Sequence, residues 1–200
     1  MAIQTFATGD VLTAAQMNTL QQQAVMTFTN EAARTAALTS PTEGMMAYLT
    51  APTTPAATGT VTNIPTGTLT VYNGSAWVCL TQISANSAGS SGSFTTSYAD
   101  VTIASAVTSV TLQTGTTALV SFTGRILGSG NYAVISVKTG TVAASDNWGA
   151  FNQTANAITV GRTFVMTGLT AGTNTFTVQA KNNVAGASLD QLTLTVCGVA

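Results

Sequence analysis

The chain has 200 residues, of which 45% are hydrophobic and only 6% are charged, and its formal net charge is −1. This hydrophobic content excludes an intrinsically disordered chain, which needs low hydrophobicity together with high net charge. The five Lys and Arg residues are scattered and form no basic patch, so nucleic acid is not an expected partner. With so few charges, the hydroxyls of 40 threonines must solvate much of the surface.

The sequence also lacks the usual signatures of membrane, metal and catalytic proteins. No window approaches the roughly 20 apolar residues of a transmembrane helix, so membrane insertion is not expected. Histidine is absent, which removes the commonest general base and the commonest metal ligand. The six carboxylates are widely spread and fall in no recognisable motif. We therefore predict a protein that is not an enzyme and that uses no cofactor and no metal.

The first 24 residues carry the start of a short helix. Thr13 and Gln16 have the spacing of a capping box, and the helix is predicted to begin at Thr13. Its apolar stripe is narrow, so an isolated helix of this length is marginal in water and needs a partner surface. We interpret residues 1–24 as an attachment segment. The side chains expected to make the attachment are Phe6, Val11, Leu12, Met17 and Leu20.

Residues 25–83 are predicted to form a small module of one helix and a β-hairpin. Asn30 can cap a helix over residues 30–38, and Asn73-Gly74 lies between two β-prone runs, as in a two-residue type I′ turn. Residues 51–67 hold three of the four prolines, which indicates an exposed loop or irregular arm.

Residues 84–93 consist almost entirely of Ser, Gly, Ala and Asn, a composition typical of a flexible linker. We place a domain boundary there, with a β-sandwich over residues 94–200. Cys79 and Cys197 then fall in different domains, and we predict that both remain unpaired thiols. The candidate strands are 98–103, 107–112, 118–127, 132–138, 147–151, 157–167, 174–181 and 188–197.

Hydrophobic alternation is clearest near the end of the chain. Phe176, Val178 and Ala180 alternate with polar residues, and the same pattern follows at Leu192 and Leu194. Eight antiparallel strands in about 105 residues fit a jelly roll. An immunoglobulin-like sandwich is the alternative, although the domain lacks a Cys, Trp, Cys framework.

One aromatic residue stands in a polar stretch of the predicted sandwich. Trp148 lies in SDNWGAFNQ, where an aromatic ring beside Asn147 and Asn152 can contact a ligand or a neighbouring subunit. The alternative is that Trp148 packs at an edge of the sandwich.

The segment FATGDVLTAAQMNTLQQQ, residues 6–23, resembles the N-terminal segment of many tailed-bacteriophage fibre, appendage and minor tail proteins. The matching positions are Phe6, Gly9, Val11, Leu12, Thr13, Ala14 and Asn18. Residues 25–50, followed by residues 69–80, are similar to a short module of the same proteins, although the 51–67 loop is longer than the few residues that often join these strands. Its matches are Arg34, Pro41, Gly44, Met45, Tyr48, Tyr72, Asn73, Gly74 and Trp77. The C-terminal half, including VMTGLTAGTNTFTVQAK at 165–181, looks like the jelly-roll domains at the ends of phage fibres and spikes.

This resemblance implies a structural component of a bacteriophage particle: a fibre, a spike or a head or tail appendage. The N-terminal segment is then expected to contact other virion proteins, while the sandwich faces outward. Similar domains commonly form trimers, so the resemblance implies a homotrimer located in the virion and assembled in the host cytoplasm. The alternative function is a receptor- or carbohydrate-binding adhesin module that contacts a glycan or protein on the host surface.

Overall fold

The computed structural model describes Gly9 and residues 11–128, 130–184 and 186–200. This described part of the chain is mainly β, with two α-helices, α1 (Ala14–Gln23) and α2 (Glu31–Ala37), and one 3-10 turn, η1 (Asp146–Trp148). Among these residues, no helix is long and apolar enough to cross a membrane. The strands are β1 (Met26–Phe28), β2 (Met46–Leu49), β3 (Ala56–Thr58), β4 (Val61–Asn63), β5 (Thr68–Tyr72), β6 (Trp77–Cys79), β7 (Ile83–Ala88), β8 (Ala99–Asp100), β9 (Thr102–Ile103), β10 (Ala106–Val107), β11 (Ser109–Thr114), β12 (Thr117–Leu127), β13 (Ala133–Lys138), β14 (Ala150–Asn152), β15 (Ile158–Thr167), β16 (Gly172–Asn182) and β17 (Ser188–Gly198).

Eight of these strands form two facing antiparallel sheets. One sheet has the order β14-β13-β16-β11 and the other β15-β12-β17-β7. Counted along the chain from β7, without the short strands β8 to β10, the sheets join strands 1-8-3-6 and 2-7-4-5. This alternation between the two sheets is the jelly-roll order, so the predicted fold class is confirmed and the immunoglobulin-like alternative does not apply.

The core lies between the two sheets and follows from side-chain alternation along the strands. Phe176 and Val178 of β16 point inward and are fully buried, and Leu194 and Val196 of β17 face them. The predicted alternation of both strands is therefore confirmed. Fully burying one such side chain contributes about 2 kcal/mol, so these rows supply much of the stability of the sandwich.

The predicted linker at residues 84–93 is wrong, because most of it belongs to β7. This strand is paired on both sides, with β17 and with β4. Ile83, Ala85 and Ser87 point into the sandwich, and Ser84 and Asn86 alternate with them. A run of small side chains is typical of a flexible linker, but the same side chains also fit a strand in a narrow part of a core. The eight jelly-roll strands therefore begin at residue 83, and residues 94–200 lack the first of them.

The arm at residues 51–67 is also more ordered than predicted. Strand β3 pairs with β11 and β4 pairs with β7, so the arm extends both sheets of the sandwich. Its prolines lie outside these two strands, where no ladder hydrogen bond is lost. Gly59 lies close to the backbone of Asn86, and a Cβ there would be 2.8 Å from its carbonyl oxygen.

The predicted helix and hairpin of the small module are present. Strands β1, β2, β5 and β6 form one sheet beside α2, and Asn30 caps that helix by accepting from the Ala33 N–H at 3.0 Å. The hairpin loop has four residues rather than two, since Tyr72 pairs with Trp77. Of the two central residues, only Gly74 has a positive φ, which a type I′ turn would require of both.

The small module packs directly on one end of the sandwich. The Arg34 guanidinium donates to Gln113 of β11 at 3.2 Å, and a Cβ on Gly198 would lie 2.8 Å from the Cys79 carbonyl oxygen. Cys79 lies in β6 of the small module and Cys197 in β17 of the sandwich, but these two units are in contact with each other. Both thiols are free, and burial raises the pKa of each. That both thiols stay reduced remains a prediction.

Candidate functional site

The N-terminal apolar segment, defined by Val11, Leu12, Met17 and Leu20, is exposed to solvent. The exposed fraction runs from 37% at Leu20 to 89% at Val11. Phe6, the remaining predicted attachment residue, lies outside the described part of the chain. These apolar side chains are thus available to a partner.

The helix that carries this segment begins as predicted. The Thr13 N–H donates to the Gln16 side-chain oxygen at 2.9 Å, and the Gln16 N–H donates to the Thr13 hydroxyl at 3.2 Å. This reciprocal pair satisfies two backbone donors at the helix start. Helix α1 contains no charged residue, so nothing on it repels a second copy or an apolar partner surface.

Trp148 lies where the edges of the two sheets meet. It is half-buried, its indole N–H donates to the Val137 carbonyl at 3.2 Å, and its ring stacks on Phe164 with centroids 6.2 Å apart. Phe164 in turn packs edge-on against Phe122 of the core. The structure therefore favours the packing interpretation of Trp148.

The two asparagines predicted beside Trp148 do not form a site with it. Asn152 is fully buried, and its amide N–H groups donate to the carbonyls of Ile126 and Asn156. Its side-chain oxygen accepts from both the N–H and the hydroxyl of Thr154. Asn152 is thus a structural residue that closes a turn, and the prediction of a ligand contact there is wrong. Asn147 is exposed at the surface of η1.

A different cluster occupies the outer face of the sheet formed by β14, β13, β16 and β11, and we call it the aromatic–carboxylate face. It consists of Tyr98, Tyr132, Asp146, Phe151 and Lys181, which come from four separate parts of the chain, since Asp146 and Phe151 share one stretch. Antiparallel pairing brings them together, since Val134 of β13 has Phe151 as its partner on one side and Lys181 on the other. Directly opposed residues share one face of a sheet, so Phe151 and Lys181 point the same way.

Asp146 is the centre of this face. It accepts a 2.6 Å hydrogen bond from the Tyr98 hydroxyl and contacts the Lys181 ammonium with both carboxylate oxygens, at 2.9 and 3.0 Å. The Lys181 ammonium also lies 4.7 Å from the centroid of the Tyr98 ring. These contacts hold the three side chains in one arrangement at the surface.

The electrostatics keep Asp146 ionised. The hydrogen bond from Tyr98, followed by that from Lys181, lowers the pKa of Asp146, and Tyr132 adds a smaller lowering. Burial, followed by the hydrogen bond to Asp146, raises the pKa of Tyr98, so its hydroxyl keeps its proton. A carboxylate held ionised accepts hydrogen bonds well and is a poor proton donor.

A second ion pair adjoins the aromatic–carboxylate face. The Asp100 carboxylate accepts from the Lys138 ammonium and from the Gln179 amide, each at 2.7 Å. Burial raises the pKa of Asp100, but these two partners lower it more. Asp100 also borders a cleft of about 220 Å³ lined by Ser91, Phe94 and other residues of the 91–102 segment. Both acids of this region are therefore neutralised by lysines.

The aromatic side of the face is open. Phe151 is 52% exposed, and its ring lies 5.5 Å from that of Tyr132, with 34° between the ring planes. Within the described residues, no three His, Cys, Asp or Glu side chains group as metal ligands would. Chemically, this surface offers an apolar ring face beside fixed hydrogen-bonding groups, which suits recognition of a partly polar ligand.

Sequence reasoning singled out the stretch SDNWGAFNQ, which contains Asp146 and Phe151, but missed Tyr98, Tyr132 and Lys181 because they lie far from it along the chain. In a chain with 6% charged residues, the fold brings two acids to two lysines, Asp146 of η1 to Lys181 and Asp100 of β8 to Lys138. Only the strand order, with β13 between β14 and β16, brings the aromatic rings to them.

Comparison with known proteins identifies no family. No family model and no curated protein matches the chain. Among solved structures, it is similar to a family GH115 4-O-methyl-alpha-glucuronidase, BtGH115A (11% identity, 51% of this chain and 17% of that chain, TM-score 0.27). It is also similar to CBM35 from Cellvibrio japonicus Abf62, with 13% identity over 72% of this chain and 89% of that chain and a TM-score of 0.26. A family 35 carbohydrate binding module from an environmental isolate has 14% identity over 69% of this chain and 83% of that chain, with a TM-score of 0.25. Similarities this weak do not assign a function.

Proposed function

We propose that this chain is a non-enzymatic structural component of a bacteriophage particle: a fibre, a spike or a head or tail appendage. Residues 1–24 anchor it to other virion proteins, and the jelly roll faces outward. The observation that carries the proposal is the exposed N-terminal apolar segment, which precedes a sandwich that covers its own core. The resemblance of residues 6–23 to phage attachment segments points the same way.

Burial of apolar area would drive the anchoring. Moving Val11, Met17 and Leu20 out of water contributes about 25 cal/mol per Å² of apolar surface, less the cost of ordering the segment. In a homotrimer, three segments bind together, and the second and third benefit from a high effective concentration. We place the protein in the virion after assembly in the host cytoplasm.

The test is incorporation into particles. We expect Met17→Gln/Leu20→Gln to lower the amount of chain that copurifies with purified particles at least about tenfold, equal to about 1.4 kcal/mol of binding. Glutamine keeps the helix propensity of these positions while removing the apolar contact. Val61→Gln/Val165→Gln changes two exposed residues of the sandwich edges and is the matched control. Normal incorporation of the Met17/Leu20 variant would contradict the proposal.

The second candidate function is a receptor- or carbohydrate-binding adhesin module. The observation that favours it is the aromatic–carboxylate face, which combines an exposed ring with oriented hydrogen-bonding groups. The full-length chain, applied to an array of glycans and to whole host cells, tests it. Binding to neither glycans nor host cells would refute the adhesin function and leave the structural one, because a sandwich that is only part of the particle surface is not expected to bind host molecules.

A further inference from the structure

The aromatic–carboxylate face has the components of a small binding site in fixed positions. The ring of Phe151 lies open to solvent beside Tyr132, at the edge strand of the sheet. The polar groups next to it are held by one another, because the Asp146 carboxylate contacts both Tyr98 and Lys181. Groups that are already oriented lose little conformational entropy when a ligand binds.

The charges of the region limit the ligand. Asp146 is paired with Lys181 and Asp100 with Lys138, so two anions face two cations and the region is neutral. A phosphate or sulfate ester would have to compete with a carboxylate for each lysine. A neutral ligand that carries both donors and acceptors can add hydrogen bonds to these groups without replacing either partner of an ion pair.

The apolar ring narrows the ligand class further. An aromatic ring has a negative face, which attracts C–H groups that carry a small positive charge. A pyranose ring presents such C–H groups on one side and hydroxyls around its rim. Phe151 and Lys181 flank Val134 on the same face of the sheet, so a saccharide that stacks on Phe151 and extends across β13 would reach Lys181 and its partner Asp146.

We propose that the aromatic–carboxylate face binds a neutral saccharide, with Phe151 and Tyr132 as the stacking surface and Asp146 and Lys181 as hydrogen-bonding partners. This proposal rests on the second candidate function, the carbohydrate-binding adhesin module, and adds the location of its binding site and the class of its ligand. It differs from the position around Trp148, whose ring and indole N–H are engaged within the sandwich.

The experiment uses the full-length chain on an array that contains neutral oligosaccharides of glucose, galactose and mannose beside sialylated and sulfated ones. The best-bound neutral oligosaccharide is then titrated by calorimetry. We expect Phe151→Ala to weaken binding at least about tenfold and Phe151→Trp to retain it, since the larger ring preserves stacking. Asp146→Asn should weaken binding by loss of the charged acceptor.

Val165→Ala is the control, because Val165 is exposed to a similar extent, 56%, on the opposite sheet. It should bind as the unmodified chain does, and circular dichroism verifies that each variant is folded. If the unmodified chain binds no saccharide, both the carbohydrate function and this site are refuted. If it binds one and Phe151→Ala binds equally well, the function stands and the site is wrong. Binding of acidic glycans alone would overturn the neutral ligand class.

Discussion

At the scale of single residues, the most unusual side chain is a buried cation. Arg34 is 1% exposed, and its guanidinium lies 4.3 Å from the centroid of the Trp77 ring. It donates to the Thr70 hydroxyl at 3.0 Å and to the Gln113 side chain at 3.2 Å. One residue of α2 thereby joins the sheet of the small module to strand β11 of the sandwich.

We expect Arg34→Met to lower the free energy of unfolding by about 2–4 kcal/mol, because it removes a cation–π contact and two buried hydrogen bonds. Urea denaturation followed by circular dichroism measures the change. The control is Arg125→Met, which removes an ion pair with Asp190 at 2.8 Å on the surface. Exposed pairs contribute about 0–1 kcal/mol, so equal effects of the two variants would contradict the role assigned to Arg34.

Glu31 predicts a dependence of stability on pH. Partial burial raises its pKa, but hydrogen bonds from Thr53 and Thr54 lower it below the ordinary value of 4.5. A carboxyl group whose pKa is lowered in the folded state stabilises the fold at pH values above its ordinary, unfolded-state pKa. That contribution disappears as the pH falls through the folded-state value.

We therefore expect Glu31→Gln to lower the free energy of unfolding by about 1 kcal/mol at pH 7 and by much less at pH 3. Urea titrations of both chains at the two pH values give the comparison. Glu43, which is exposed to solvent, supplies the control variant Glu43→Gln. A loss of equal size at pH 3 would show that the ionised carboxylate does not stabilise the fold.

At the scale of elements, alternating hydrophobic side chains decided which strands could be predicted. Strand β12 was predicted over 118–127 and runs Thr117–Leu127, and β17 was predicted over 188–197 and runs Ser188–Gly198. Strand β7 was missed because its inward residues are Ile83, Ala85 and Ser87, and two of these are too small to produce a hydrophobic signal. The candidate binding face was missed because its position depends on strand order, which no local pattern encodes.

Strand β7 can be tested with a matched pair of substitutions. Ala85 is fully buried opposite Leu194, whereas Ala88 at the end of the same strand is exposed. We expect Ala85→Asp to lower the free energy of unfolding by about 3 kcal/mol or more, because it buries an unpaired charge. Ala88→Asp should change it by about 0.5 kcal/mol or less.

Thermal and urea unfolding measure both variants. If residues 84–93 were a flexible linker, the two substitutions would have the same small effect, and that outcome would contradict the pairing of β7 with β17.

At the scale of the whole molecule, the proposed homotrimer accounts for surface that one copy leaves uncovered. Residues that come after α1 in the chain, among them Met26, Phe28 and Leu38, line an apolar groove of about 420 Å³. The apolar side chains of α1 itself, Met17 and Leu20, are exposed. The absence of charge on α1 removes electrostatic repulsion between copies.

Multi-angle light scattering of the full-length chain at micromolar concentration is expected to give three times the chain mass. Met17→Gln/Leu20→Gln should shift the population toward the monomer if α1 contributes to the contact. A monomer from the unmodified chain would count against the trimer, and it would leave the sandwich fold unaffected.

The pairing of β7 with β17 also determines when the protein can fold during its synthesis. Ile83 pairs with Val196, so the first strand of the jelly roll waits for the last one to leave the ribosome. Until then β12 and β7 each lack the central neighbour that separates them, and their apolar side chains remain exposed. Contacts this distant in sequence make folding slow. The nascent sandwich is therefore an expected client of chaperones, because a chain that ends before β17 lacks the strand that joins β7 to β12.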